Sequence, residues 1–174
     1  MTCARRKFLS RYSFWWGVGA AFMLPGCLSF SFKDSDVQSK NATHATLSAP
    51  WKPTDSGTSD VAYRNSINNS TIALNSVCDQ YQKLSLEELS KTLIAGMENV
   101  SELSSEPLTV DGFPALLKIV TAQLDGQPFK MAIVVLRSPH CVYDITFVSK
   151  PAFFGASYPD FQKFISSFHE GKLS

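Results

Sequence analysis

The side chains best suited to chemistry are four cysteines, at 3, 27, 78 and 141, and three histidines, at 44, 140 and 169. A thiolate beside an imidazole is an activated nucleophile, and clusters of the two hold metals. Neither pattern forms here. No Cys-x-x-Cys occurs, and the histidines fall at unrelated places with no partner at metal-ligand spacing, so no metal and no cofactor are expected. His140 stands next to Cys141 but lacks a third group to orient it, and reads as a solvated turn histidine. Asp144 has no partner acid or base at a recognisable spacing. No phosphate-binding glycine loop, nucleophile elbow or dinucleotide fingerprint is present. No catalytic residue is assigned.

Cys27 has a different use. Arg5, Arg6, Lys7 and Arg11 form a basic start, and residues 12–24 carry no charge. That run is long enough for the apolar part of a secretion signal and short for a membrane span, which needs about 20 residues. It ends in Leu24-Pro25-Gly26-Cys27, which resembles the lipobox of bacterial lipoproteins. The resemblance implies lipidation of Cys27 and loss of residues 1–26. An uncleaved anchor, or a signal cut elsewhere, is the alternative. Ala4-Arg5-Arg6-Lys7-Phe8-Leu9-Ser10 also resembles a twin-arginine export signal, against the general secretion route as default. The chain is therefore expected in the bacterial cell envelope, held to a membrane through Cys27 and facing the periplasm. Inner and outer membrane stay undecided. Cys78 and Cys141 would then lie in an oxidising compartment, which favours a disulfide over two buried thiols.

Residues 27–60 read as a lipidated, flexible tether. They are rich in Ser, Thr, Asn, Asp and Lys and show no lasting periodicity, a composition that cannot offset ordering entropy by burial. Trp51 either docks on the domain or is exposed. Residues 61–171 read as one domain, long enough for a single core.

Within it, residues 61–64 and 71–78 form a hairpin around Asn68-Asn69. Ser85-Leu86-Glu87-Glu88 is a capping box, followed by Leu86, Leu89, Leu93 and Met97 at helical spacing. Leu108-Thr109-Val110 precedes an Asp111-Gly112 turn, residues 115–124 precede Asp125-Gly126, and both turns suit hairpins. Residues 129–136 are apolar on both faces, as in a strand covered on both sides. Residues 141–148 alternate. Residues 157–168 read as a helix with Pro159 at its first position and Phe161, Phe164, Ile165 and Phe168 as its buried stripe. Before it, Phe153 and Phe154 are expected in a loop, where two adjacent aromatics are the candidate partner-docking patch. The fold class is α+β: an antiparallel sheet with flanking helices.

The two Asp-Gly turns, the long strands after them and a last helix ending in Ser166-Ser167-Phe168 resemble the PsbP-like fold, which bacterial envelope lipoproteins of the DcrB type share. Ala62-Tyr63-Arg64-Asn65, residues 71–78 and Cys141-Val142-Tyr143-Asp144 also resemble uncharacterised proteobacterial lipoproteins. The resemblance spans about 110 residues, the domain alone, and implies a protein that docks onto others, with no shared catalytic residues.

Charge agrees with a binding role outside nucleic acids. The 174-residue chain has 16 Lys+Arg against 15 Asp+Glu, a formal charge of +1. Loss of residues 1–26 removes four of those bases and no acid, leaving twelve against fifteen, or −3. A nucleic-acid binder would show a basic excess. The expected function is a membrane-anchored, non-enzymatic accessory protein that binds an unidentified envelope protein; the alternative is an enzyme with an unrecognised cleft site. Intact mass of protein extracted from envelopes should give acylated Cys27 as the first residue, and Cys27→Ala should release the protein from the membrane fraction. A mature N-terminus elsewhere, or membrane retention of the variant, contradicts the lipidation reading.

Overall fold

The computed structural model describes residues 41–55, 57–81 and 83–171. The segment read above as a secretion signal, Cys27, and the part of the expected tether up to residue 40 lie outside the described residues.

Alternating apolar residues in β4 (Thr71–Cys78) and β8 (Cys141–Ser149) set the centre of the fold. The two pair antiparallel over eight residues, from Thr71↔Val148 to Cys78↔Cys141. Around them the sheet runs β2 (Trp51–Pro53), β3 (Val61–Asn65), β4, β8, β7 (Gln127–Arg137), β6 (Phe113–Leu124) and β5 (Glu98–Val110), antiparallel throughout. The two-faced apolar run of β7 fits its place: residues 131–136 are all buried, between β6 and β8 and beneath helices on both sides. The Asp111-Gly112 and Asp125-Gly126 turns join β5–β6 and β6–β7. All four residues have positive φ, between 50° and 81°, the backbone that two-residue hairpins require.

Each face has its own cover. On one side Tyr63, Leu74, Val134, Tyr143, Ile145 and Phe147 pack against Phe154, Phe161 and Phe164 of α2 (Pro151–Ser166) and Phe168 just beyond it. Phe147 lies at the centre of the aromatic contacts, with ring centroids 5.0 Å from Phe154 and 5.6 Å from Phe161. On the other side Val120, Met131, Ile133, Val135 and Val142 meet Leu89 of α1 (Leu86–Leu93), with Leu86, Leu93 and Met97 beside it. The capping box is formed: Ser85 Oγ accepts from Glu88 N at 3.1 Å, and Glu88 accepts from Ser85 N at 2.7 Å.

Three expectations need correction. First, α2 starts at Pro151, not at Ser157, so Pro159 sits inside the helix. Proline there removes a hydrogen bond and costs about 3 kcal/mol. Extending the helix back buries Phe154, worth about 1.5–3 kcal/mol, on the same stripe as Phe161 and Phe164 and lets Pro151 take the position proline prefers. Second, the tether does not reach residue 60. Ala42–Thr43 form β1, paired with β9 (His169–Glu170), and Trp51 is buried with its Nε1 donating to Asp160 Oδ2 at 2.9 Å. Polar neighbours hide these apolar anchors in the sequence. Third, β5 is thirteen residues long rather than the three of 108–110. It is an exposed edge strand with two register shifts, so no alternation marks it.

One of those shifts has a purpose. A bulge between Glu102 and Ser104 turns Glu102 onto the α1 face and leaves Leu103 exposed. Lys118, 1% exposed beneath α1, then bonds Glu102 and Glu87 of the helix at 2.8 Å each. Burial pulls the Lys118 ammonium toward neutrality, but its bonds to Glu102 and Glu87 outweigh that and hold its pKa above the ordinary lysine value. The triad ties α1, β5 and β6 together. A lysine on an otherwise apolar strand gave no sign of it.

Both clusters and all strand pairs lie inside one unit, Ser35–Ser174, so this stretch carries a complete core of its own. Cys78 and Cys141 form the disulfide, directly opposite each other at the end of the central ladder, 63 positions apart in sequence. Closing a loop of that length restricts the unfolded chain by roughly 4 kcal/mol. Unreduced, unfolded protein should show no thiol from Cys78 or Cys141, and Cys78→Ala with Cys141→Ala should lower the urea-unfolding free energy by about 2–5 kcal/mol. Two reactive thiols, or unchanged stability, contradict the bridge.

Candidate functional site

Helix α2 lies over β8 and β7 and stops short of the sheet's far edge. The uncovered strip becomes a groove of about 330 Å³ between α2 and β5–β6. Leu108, Val110 and Leu117 form its sheet wall; Tyr158, Gln162 and Ile165 form its helix wall. The helix residues are spaced four and three apart and therefore share one face. The pairings Leu108↔Ala115 and Glu106↔Leu117 put the strand residues on the α2 side.

Polar groups sit at the ends and rim of the groove. Burial, then nearby Glu106, raises the Tyr158 hydroxyl pKa above its ordinary value, so the hydroxyl keeps its proton. Asp111 marks the other end. Its carboxylate accepts from His169 Nδ1 and from Glu170 N, both at 2.8 Å, and the His169 bond holds it below the usual carboxylate range. Apolar walls with a few hydrogen-bonding groups suit binding of an extended or amphipathic segment.

The residues singled out by sequence do not gather here. His169 joins the groove end through Asp111, whereas the His44 ring packs at a tilt against Phe164, centroids 4.8 Å apart, and His140 lies exposed in the β7–β8 turn. Among the described residues no three His, Cys, Asp or Glu side chains are placed to share a metal. Phe153 and Phe154 do not make one patch. They occupy the first turn of α2, where successive side chains diverge by about 100°; Phe154 is 5% exposed in the core, and Phe153 is 43% exposed. The groove escaped sequence reading because it is made by what α2 fails to cover, and β5 itself was not legible.

Asp144 is placed on the α1 face of β8, where Asn75 Nδ2 donates to it at 2.7 Å. Arg137 is diagonal to it on the same face, through Arg137↔Val142 and Val135↔Asp144. The two do not pair, and Arg137 Nε and Nη2 are buried without acceptors. Burial pushes the Asp144 carboxyl up; the Asn75 bond opposes this and the charge of Asp60 adds to it. A carboxyl raised in the folded state binds its proton more tightly there than in the unfolded chain. Stability therefore falls as pH rises from about 3.9 through the raised value. Asp144→Asn keeps the acceptor for Asn75 and removes the charge, so it should raise Tm at pH 7 by a few degrees and flatten the acid-side pH dependence. An unchanged or lower Tm with a retained pH slope contradicts this.

No family model matches the chain, and no curated protein matches it by sequence. Solved structures do resemble it. Cyanobacterial PsbP (CyanoP) of Synechocystis is 14% identical with a TM-score of 0.55, over 80% of this chain and 98% of that one. LpqN of Mycobacterium tuberculosis, a protein involved in cell envelope biogenesis, is 10% identical with a TM-score of 0.57, over 74% and 83%. A Pseudomonas aeruginosa protein of unknown function is 14% identical with a TM-score of 0.50, over 77% and 83%. The domain thus has the PsbP-like α+β fold, an antiparallel sheet with two helices.

Proposed function

We propose that this protein is a lipid-anchored accessory protein of the bacterial envelope that binds a partner segment in the groove between α2 and β5–β6 and performs no chemistry of its own. The groove carries the reading. Its walls are mostly apolar, and its polar groups are a protonated tyrosine, an amide, the Thr109 and Ser166 hydroxyls, the latter donating to Lys163 O, and a carboxylate already engaged by His169 and Glu170. That set recognises and orients; it contains no nucleophile next to a base. The lipobox-like Leu24-Pro25-Gly26-Cys27 supports a membrane tether, and the Cys78–Cys141 bridge suits an oxidising compartment. LpqN, which shares the fold, is described as acting in envelope biogenesis.

Gln162 is exposed at the groove, and Lys91 is exposed on α1 across the sheet. A photo-crosslinking residue at 162, in cells, should capture an envelope protein that the same residue at 91 does not, and Ser166→Trp should reduce the capture several-fold by filling the groove. Equal capture at both positions, or capture unaffected by the tryptophan, overturns the reading.

A further inference from the structure

The molecule's exposed apolar side chains are unevenly placed. Ile67, 79% exposed, projects from the β3–β4 turn, and Phe153, 43% exposed, from the first turn of α2. They are neighbours. Asn68, next to Ile67, donates to Ser157 Oγ at 2.9 Å, and Ser157 lies one helical turn after Phe153 on the same side of α2. Ser70 Oγ bonds Ser149 Oγ at 2.8 Å and ties the base of the turn to the end of β8. A small apolar tip therefore stands at the end of the sheet where β3, β8 and α2 meet.

Cations lie on both faces of this end, Lys130 and Lys150 beside α2 and Lys52 and Arg64 on the α1 face. Lys150 caps α2 there, and Lys130, opposite Ser149, sits 4.5 Å over the Phe154 ring. Lys52 and Arg64 are exposed and directly opposite each other on β2 and β3, with no acidic partner among the described residues. Like charges across a ladder are destabilising, and an external anion would relieve that cost. Residues 50–54, 63–71, 128–131 and 147–154 build this end and contain these four cations and no Asp or Glu. Asp55, three residues beyond Lys52, accepts from Gly57 N and is the nearest acid along the chain; Asp125 and Glu98 lie at the adjoining β6–β7 and β5 corner, and Asp160 is engaged by Trp51. The other end is acidic, with Asp60, Asp79, Asp111 and Glu170.

We propose that the tip formed by Ile67, Phe153, Lys52, Arg64, Lys130 and Lys150 docks on an anionic lipid surface. Exposed apolar side chains at a sheet end with cations on both of its faces match the boundary between acyl chains and acidic headgroups. The tip does not overlap the groove, whose helix wall faces another way. The chain enters the domain at the acidic end, where Asn41 meets Ser76 and Tyr143. Cys27 to Asn41 can span at most about 50 Å, and the sheet along β7 is about 37 Å long. A lipid on Cys27 therefore leaves enough chain for the far tip to reach the same bilayer, though tip docking itself needs no anchor.

The test uses residues 35–174, which carry their own core, and vesicles of phosphatidylglycerol or of phosphatidylcholine alone. The domain should sediment with the phosphatidylglycerol vesicles, release with salt, and stay free of phosphatidylcholine. Ile67→Ser with Phe153→Ser, or Lys52→Glu with Arg64→Glu, should weaken binding at least tenfold, while Tyr81→Ser at the acidic end leaves it unchanged. Circular dichroism confirms that each variant is folded. No sedimentation with either lipid, or equal loss with Tyr81→Ser, overturns the proposal. So does a tip that crosslinks to a protein in cells without binding vesicles, which would make it a protein-docking surface.

Discussion

The pairing of β4 with β8 is the constraint on which the rest of the structure depends. These strands are separated by the whole α1–β5–β6–β7 excursion, yet they must meet in one register, because a shift of a single residue would turn Leu74, Tyr143, Ile145 and Phe147 out of the core. The Cys78–Cys141 bridge closes that ladder at one end, and Ser70–Ser149 bonds it at the other. Everything between is a folded loop in the thermodynamic sense. α1 carries the chain across the sheet to its far edge, and β5, β6 and β7 return strand by strand to β8. Non-local pairing of this kind is slow to form and costly in chain entropy, so a covalent tie at that point gives more than it would between neighbouring strands.

From that frame the exposed features follow. A seven-stranded sheet is wider than one helix. α2 serves the centre, where Phe147 needs cover, and leaves β5–β6 as the floor of a groove. α1 serves the opposite face and is fixed by Lys118, a buried charge satisfied by two carboxylates. Breaking one side of such a set leaves an uncompensated buried charge, so the bulge that aims Glu102 at Lys118 is bought with an exposed Leu103. Among the described residues none covers the turn and helix start at the β3–β8 end, where Ile67, Phe153, Lys52, Arg64 and Lys150 are exposed.

Legibility in the sequence tracked how local the causes were. The α1 capping box, both Asp-Gly turns and the two-faced run of β7 are set by adjacent residues, and each was readable. The cysteine pair was readable because few thiols remained to choose among. β5 was not, since an edge strand with bulges has no period to detect. Pro159 pointed to a helix start and misled, because the gain that overrides it, burial of Phe154 against Phe147, is tertiary. The stretch from Asn41 to Trp51 reads as polar spacer, and only its contacts with α2 and β9 show that it belongs to the domain. The PsbP-like fold was legible as a resemblance. The groove was not, because it exists only as the space between two elements, one unrecognised and one misplaced.

The central claim is that function resides where the covers of this sheet end, at the α2/β5–β6 groove. Hydrogen exchange of the protein in native membranes, compared with the isolated domain, tests it most directly. The account predicts added protection in residues 106–110 and 158–166, with the β4–β8 ladder unchanged. Protection confined to the α1 face, or none beyond the isolated domain, would contradict it.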